Sequence, residues 1–228
     1  MGMGPGRKAH RNSGYNDLAM APKKTLNAQN LEALGAKRLA ELLIEISDGD
    51  ATVKRRLRLA LAGAQSPAEA SREIRKRLAA ISRSRTFVDW QNRRALVEDL
   101  QTQRRAIVDH VATADPKEAL DLIWSFMGLA SSVFDRCDDS SGTVIGIFHE
   151  GVNDLGRLAE AARGDAVELA DRTYQALLDN RYGQFDHLIS ALGGSLGDAG
   201  LQHLKQRFIA LSKAPIEKPK DDARRKVG

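Results

Sequence analysis

Residues 115–129 read DPKEALDLIWSFMGL, and this stretch decides the fold. Asp115 followed by Glu118 forms a capping box. Pro116 takes the first helical position, where a missing N–H leaves nothing unsatisfied and a fixed φ suits the helix. Leu120, Leu122, Ile123, Trp124, Phe126, Met127 and Leu129 then leave almost no polar face. A helix that is apolar nearly all round must be covered by other helices, so it belongs in the middle of a packed domain.

The same start signal recurs upstream at Ser66-Pro67-Ala68-Glu69, ahead of a stripe of Ala70, Ile74, Leu78 and Ile81. Before it, Val53, Leu57, Ala60, Leu61 and Ala64 have the i, i+3, i+4 spacing of one helix face. So do Leu39, Leu42, Leu43 and Ile46, behind a cap at Asn27 and an interruption at Gly35. SRSRTF (82–87) breaks the pattern, and a long helix over 89–112 follows with Leu96, Leu100, Ile107 and Val111 on its buried side. DRCDDSSG (135–142) is a polar turn in which Ser140 or Ser141 suits the cap of the next helix. Helices are expected beyond it near 143–162, 165–180, 184–192 and 198–212. Gly146, Gly151 and Gly156 recur inside the first of these, and close approach of a neighbouring helix would compensate their cost of about 1 kcal/mol each. No segment has strand period with hairpin turns. The expectation is all-α, with antiparallel helical hairpins stacked as a short α-solenoid or irregular bundle of about nine helices.

Composition agrees. The chain of 228 residues is 42% hydrophobic, enough for a core, and only 5% aromatic, which is poor material for strands. Cys137 is the single cysteine, so no intrachain disulfide and no CxxC zinc site can form. No apolar run approaches the roughly 18 residues of a membrane span, and the N-terminus lacks the apolar core of a secretory signal. The opening MGMGPG has Gly6 where a myristoylation signal needs Ser or Thr. A cytoplasmic location without membrane contact is expected. Residues 1–24 should be a disordered basic tail, 25–213 a single helical domain, and 214–228 a disordered charged tail.

Four stretches, in this order, carry a resemblance: LEALGAKRLAELLIEISDGD (31–50), RSRTFVDW (83–90), DRCDDSSG (135–142) and LGDAGLQHL (196–204). Together they resemble a bacterial family of all-helical proteins of unknown function over residues 25–212. The resemblance implies a helical fold and carries over no catalytic residue, ligand or partner.

The net charge of +5 hides a segregation. Residues 53–111 carry fourteen basic and six acidic side chains, and residues 112–204 carry six and fifteen. Such asymmetry suits a nucleic-acid surface, an acidic partner, or attraction between the two halves. On the first basic helix Lys54, Arg55, Arg56 and Arg58 surround the wheel, and on the next Arg72, Arg75, Lys76 and Arg77 spread as widely. A groove-reading helix concentrates basic and amide residues on one strip. Nucleic-acid binding through Lys54, Arg55, Arg58, Arg72, Arg75 and Lys76 would therefore be weak, non-specific and steeply salt-dependent. Glu73 and Arg77 are spaced for an i, i+4 ion pair.

Chemistry-bearing motifs are few. HEGVN (149–153) lacks the second histidine of a zinc protease, and the five histidines have no ligand spacing. DRCDDSSG lacks the ligand order of a calcium loop, and Cys137 beside two aspartates has a disfavoured thiolate. No catalytic residue, metal or cofactor is expected, and the chain leans away from being an enzyme. RSRTFVDWQNRR (83–94) is the most unusual segment. Phe87 and Trp90 could anchor the long helix in the core. Alternatively Trp90 with Arg83, Arg85, Arg93 and Arg94 could form a partner hot spot. Alternation of connections along stacked hairpins places this turn at the same end as Asp135, Asp138 and Asp139. Arg83 and Arg85 would then face Asp138 and Asp139 within about 8 Å, with Trp90 packed beneath. They would either tie the basic half to the acidic half or line a shared polar groove, in which Asp135, Asp138 and Asp139 join the arginines as partner-binding candidates. The expected function is a non-enzymatic interaction module for an unidentified protein, with nucleic-acid association as the alternative and the oligomeric state open.

Overall fold

The computed structural model describes residues 25–214. The tails expected at 1–24 and 214–228 fall outside the described residues, apart from Ala214. Where the sequence reading expects one domain over 25–213, the chain groups into two compact units, one ending at Ala51 and the other starting at Thr52.

The first unit holds α1 (Ala28–Glu32) and α2 (Gly35–Ser47), which pack on each other. The Asn27 side chain accepts a hydrogen bond from the Asn30 N–H at 2.8 Å, as a cap residue should. Gly35 at φ +79° supplies the left-handed step between the two helices. Leu39 and Leu42 of the expected stripe are half-buried, whereas Leu43, Ile44 and Ile46 are exposed.

The second unit runs through α3 (Ala51–Gln65), α4 (Pro67–Arg83), α5 (Arg93–Ala106) with a π-helical turn at Ile107–Val111, α6 (Pro116–Met127), α7 (Ala130–Phe134), α8 (Thr143–Ala162), α9 (Ala166–Leu178) and α10 (Leu188–Lys213). Both cap residues act, but the glutamates do not return the bond: the Ser66 and Asp115 N–H groups go to the Ala62 and Val111 carbonyls, and Glu69 and Glu118 pair with Arg72 and Arg75. Ser66 accepts from the Glu69 N–H at 3.2 Å and Asp115 from the Glu118 N–H at 3.0 Å. The stripe Ala70, Ile74, Leu78 and Ile81 is buried, as are Leu100, Ile107 and Val111. On α3 the buried residues are Leu59 and Ala62, and Leu61, placed on the apolar stripe by spacing alone, is 64% exposed. The helix is rich in Ala and Leu on more than one face, so periodicity could not choose the phase. Its neighbour does: a Cβ on Gly63 would lie 3.1 Å from the His110 ring.

α8 is the axis of this unit, with α5, α6 and α10 packed against it. Phe126 of α6 stacks on Phe148 of α8 with ring centroids 5.4 Å apart, both fully buried. Each such ring removed from water contributes about 1.5–3 kcal/mol. Two of the three regularly spaced glycines are where helices approach closely. A Cβ on Gly151 would sit 2.7 Å from the Met127 sulfur, and one on Gly156 would sit 2.5 Å from the Ala191 carbonyl oxygen. Gly146 faces open space. The helix expected near 184–192 starts at Leu188, and its separation from the one at 198–212 is a single residue, Gly197, at φ 53° and ψ −167° inside α10. Among the described residues no strand is present, only an isolated parallel bridge between Val88 and Cys137.

Candidate partner-binding site

That bridge brings the two polar turns together at one place. The Val88 N–H donates to the Arg136 carbonyl at 2.7 Å, and the Asp138 N–H donates to the Val88 carbonyl at 3.2 Å. Arg136 reaches back with its guanidinium to the carbonyls of Thr86, at 3.1 Å, and Ile81, at 3.5 Å. Arg93 closes the other side, donating to the Asp138 carbonyl at 2.8 Å. Asp89 ties the start of α5 by accepting from the N–H groups of Gln91 and Asn92 at 3.0 and 2.9 Å. Residues 86–93 are thus held by backbone and guanidinium contacts rather than by a hydrophobic plug.

The expected plug is corrected. Phe87 is 65% exposed and Trp90 67% exposed. Aromatic spacing of i, i+3 suggested burial under a helix, but α5 begins only at Arg93, so both rings lie on the preceding turn. Arg83 and Arg85 are exposed and have no ion pair among the described residues. The aspartates opposite are occupied locally. Asp139 accepts from the N–H groups of Val144 and Ile145 at 2.9 and 2.8 Å, and so caps α8 in place of Ser140 or Ser141. Asp138 accepts from the Ser140 N–H at 3.0 Å, and this bond, with Arg93 contributing, holds its carboxyl below the usual range. Asp135 takes the Tyr182 hydroxyl at 2.6 Å and thereby raises the phenol pKa. Burial pushes the Cys137 thiol up, with Asp139 adding to the effect. Arg94 forms an exposed i, i+4 pair with Glu98 at 3.0 Å.

The residues of the nucleic-acid alternative are arranged differently. Arg72 pairs with Glu69 at 2.9 Å, Arg75 with Glu118 at 2.7 Å and Lys76 with Glu73 at 3.8 Å. Arg77 bonds Asp99 rather than Glu73. Arg55 donates to the Thr52 hydroxyl at 3.0 Å, Lys54 is half-buried and Arg58 is exposed. Sequence reading passed over Arg136 and Phe87 as site residues. Arg136 sits inside DRCDDSSG, and a lone cation among aspartates was the available signal. Elsewhere, His149 of HEGVN is half-buried and bonded to the Gly183 carbonyl at 3.0 Å.

Two clefts of about 490 and 420 Å³ share Arg172 in their walls. Its guanidinium lies 5.1 Å over the Trp124 ring and bonds Asp121 at 2.7 Å, so the cation at their junction is already engaged. Among the described residues no group of three or more His, Cys, Asp or Glu side chains could hold a metal ion, and no helix is long and apolar enough to cross a membrane.

Fold and surface together define a class: an all-α protein that presents two exposed rings, and two arginines without an ion pair among the described residues, at a turn pinned by a second turn. The chain belongs to a family described as "Family of unknown function (DUF6880)", whose model matches residues 21–228. No curated protein and no solved structure matches it.

Proposed function

We propose that this chain is a non-enzymatic, cytoplasmic protein-interaction module whose partner docks on the turn 83–94. One observation carries the reading: Phe87 and Trp90 are about two-thirds exposed on either side of Val88, whose backbone is held by hydrogen bonds with Arg136 and Asp138. Large aromatics beside arginines are the usual composition of interface hot spots, and a pre-ordered loop loses little entropy on binding. Arg83 and Arg85, without acids of their own, favour an acidic partner. Arg72, Arg75, Lys76 and Arg77 of α4 are already paired with carboxylates, which weighs against nucleic-acid binding through that part of the helix.

Affinity capture from lysate, with nuclease and without, tests the reading. A protein retained after nuclease by the wild type and lost with Trp90→Ala is expected. Capture that vanishes with nuclease, or that ignores Trp90→Ala, overturns it.

A further inference from the structure

The carbonyls of residues 85–88 alternate. Val88 turns both backbone groups towards the second turn, on Arg136 and Asp138, and Thr86 turns its carbonyl there, accepting from the Arg136 guanidinium, while the Thr86 N–H has no partner among the described residues. Among the described residues, neither the N–H nor the carbonyl of Arg85 or Phe87 has a partner. Successive residues of an extended chain send their backbone groups to opposite edges, so in a strand-like reading of 85–88 the inner edge is paired at Val88 and the Thr86 carbonyl and the outer edge is open. An open edge is a template for one more strand.

We infer that the partner contributes an extended acidic segment, which adds as a β-strand along the outer edge of Arg85–Phe87. This rests on the interaction reading above and specifies its mode. Backbone bonds from Arg85 and Phe87 would supply the alignment. Period two puts the Arg85 and Phe87 side chains on one face of the added ladder, where a carboxylate and an apolar residue of the incoming segment meet them. Arg83, at the end of α4, and Arg85 carry no competing ion pair, so a basic segment is repelled and an acidic one attracted. Trp90, just past the bridge, supplies apolar area at the end of the segment.

The probe is a labelled, end-capped nonapeptide of alternating glutamate and valine, titrated by fluorescence anisotropy into the full-length chain. The parent peptide should bind, and its lysine–valine counterpart should bind at least about tenfold more weakly. Versions N-methylated at every glutamate or at every valine remove the donors of one edge each, and one of the two should lose about tenfold. Phe87→Pro, which deletes the edge N–H, should weaken binding more than Phe87→Ala, which deletes only the ring. Parent-like binding of both methylated peptides overturns strand addition, and that arm needs no variant that might misfold. Failure of the acidic peptide while lysate capture still depends on Trp90 overturns this inference and leaves the interaction reading standing. Lysate capture indifferent to Trp90 strikes the interaction reading itself. Binding of an oligothymidylate in place of the peptide also overturns the inference, in favour of bases stacked on the two rings.

Discussion

The middle of α4 and the segment 83–94 both carry four cations and do opposite things with their charge. On α4 each of Arg72, Arg75, Lys76 and Arg77 has a carboxylate within ion-pair reach, two of them on other elements, Glu118 and Asp99. Arg83, the last residue of α4, and Arg85 on the turn have none among the described residues, and the neighbouring rings are exposed instead of buried. The number of arginines therefore identifies neither region as a site. What separates them is whether the cation has been matched from within the fold and whether apolar surface stands uncovered beside it.

The comparison breaks most visibly where matched charges hold the core. Asp154 is fully buried between Arg104 and Arg157, and Arg104 also takes Glu150 at 2.6 Å. Arg104→Ala strands a buried carboxylate, and denaturant unfolding should show a loss of about 3 kcal/mol. A loss under about 1 kcal/mol would mean that Arg157 alone suffices. Arg77→Ala comes next. Its guanidinium is partly exposed, so freeing Asp99, which is 7% exposed, should cost about 2 kcal/mol. Neither variant should change capture of a partner by the folded fraction.

On the turn the expectation reverses. Arg85→Ala and Trp90→Ala touch nothing the fold needs and should stay within about 0.5 kcal/mol of wild type. Each should still reduce partner capture by about tenfold. If Trp90→Ala instead costs about 2 kcal/mol or more, the ring is packed in solution and the contrast with α4 collapses.

Much of this architecture was legible in the residues. The caps at Ser66 and Asp115, buried stripes on α4 and α5, and the break near Gly197 all follow from local rules, because each depends on neighbours a few positions away. Even the meeting of the two turns follows, since alternating connections place them at one end. The remainder depends on long-range partners. Whether Phe87 and Trp90 face in or out depends on where α5 begins, and Asp89 settles that by capping Asn92 rather than by hydrophobic pattern. Asp139 outcompetes Ser140 and Ser141 for the α8 cap because a carboxylate can accept two N–H bonds from a helix N-terminus at once. The phase of α3 was undecidable without knowing that His110 faces Gly63.

Cys137 offers the finest probe of how the turn is held. It pairs with Val88 across the bridge and is half-buried. Its thiol pKa is raised chiefly by burial and then by Asp139, while Arg93 and Arg136 act in the other direction. A raised pKa leaves less thiolate at pH 8, so iodoacetamide should alkylate it more slowly than a small free thiol. Arg136→Ala then sets two effects against each other. Removing the cation raises the pKa further and slows the reaction, whereas releasing the Thr86 and Ile81 carbonyls opens the bridge and relieves the burial. Burial is the larger cause, so the variant should react a few-fold faster, about the change expected from partial exposure of one thiol, with stability altered by less than about 1 kcal/mol. A slower reaction would show that the backbone bonds of Val88, with Arg93 on the Asp138 carbonyl, hold the bridge without Arg136. The Arg136 guanidinium would then be dispensable to the turn and free to serve the partner.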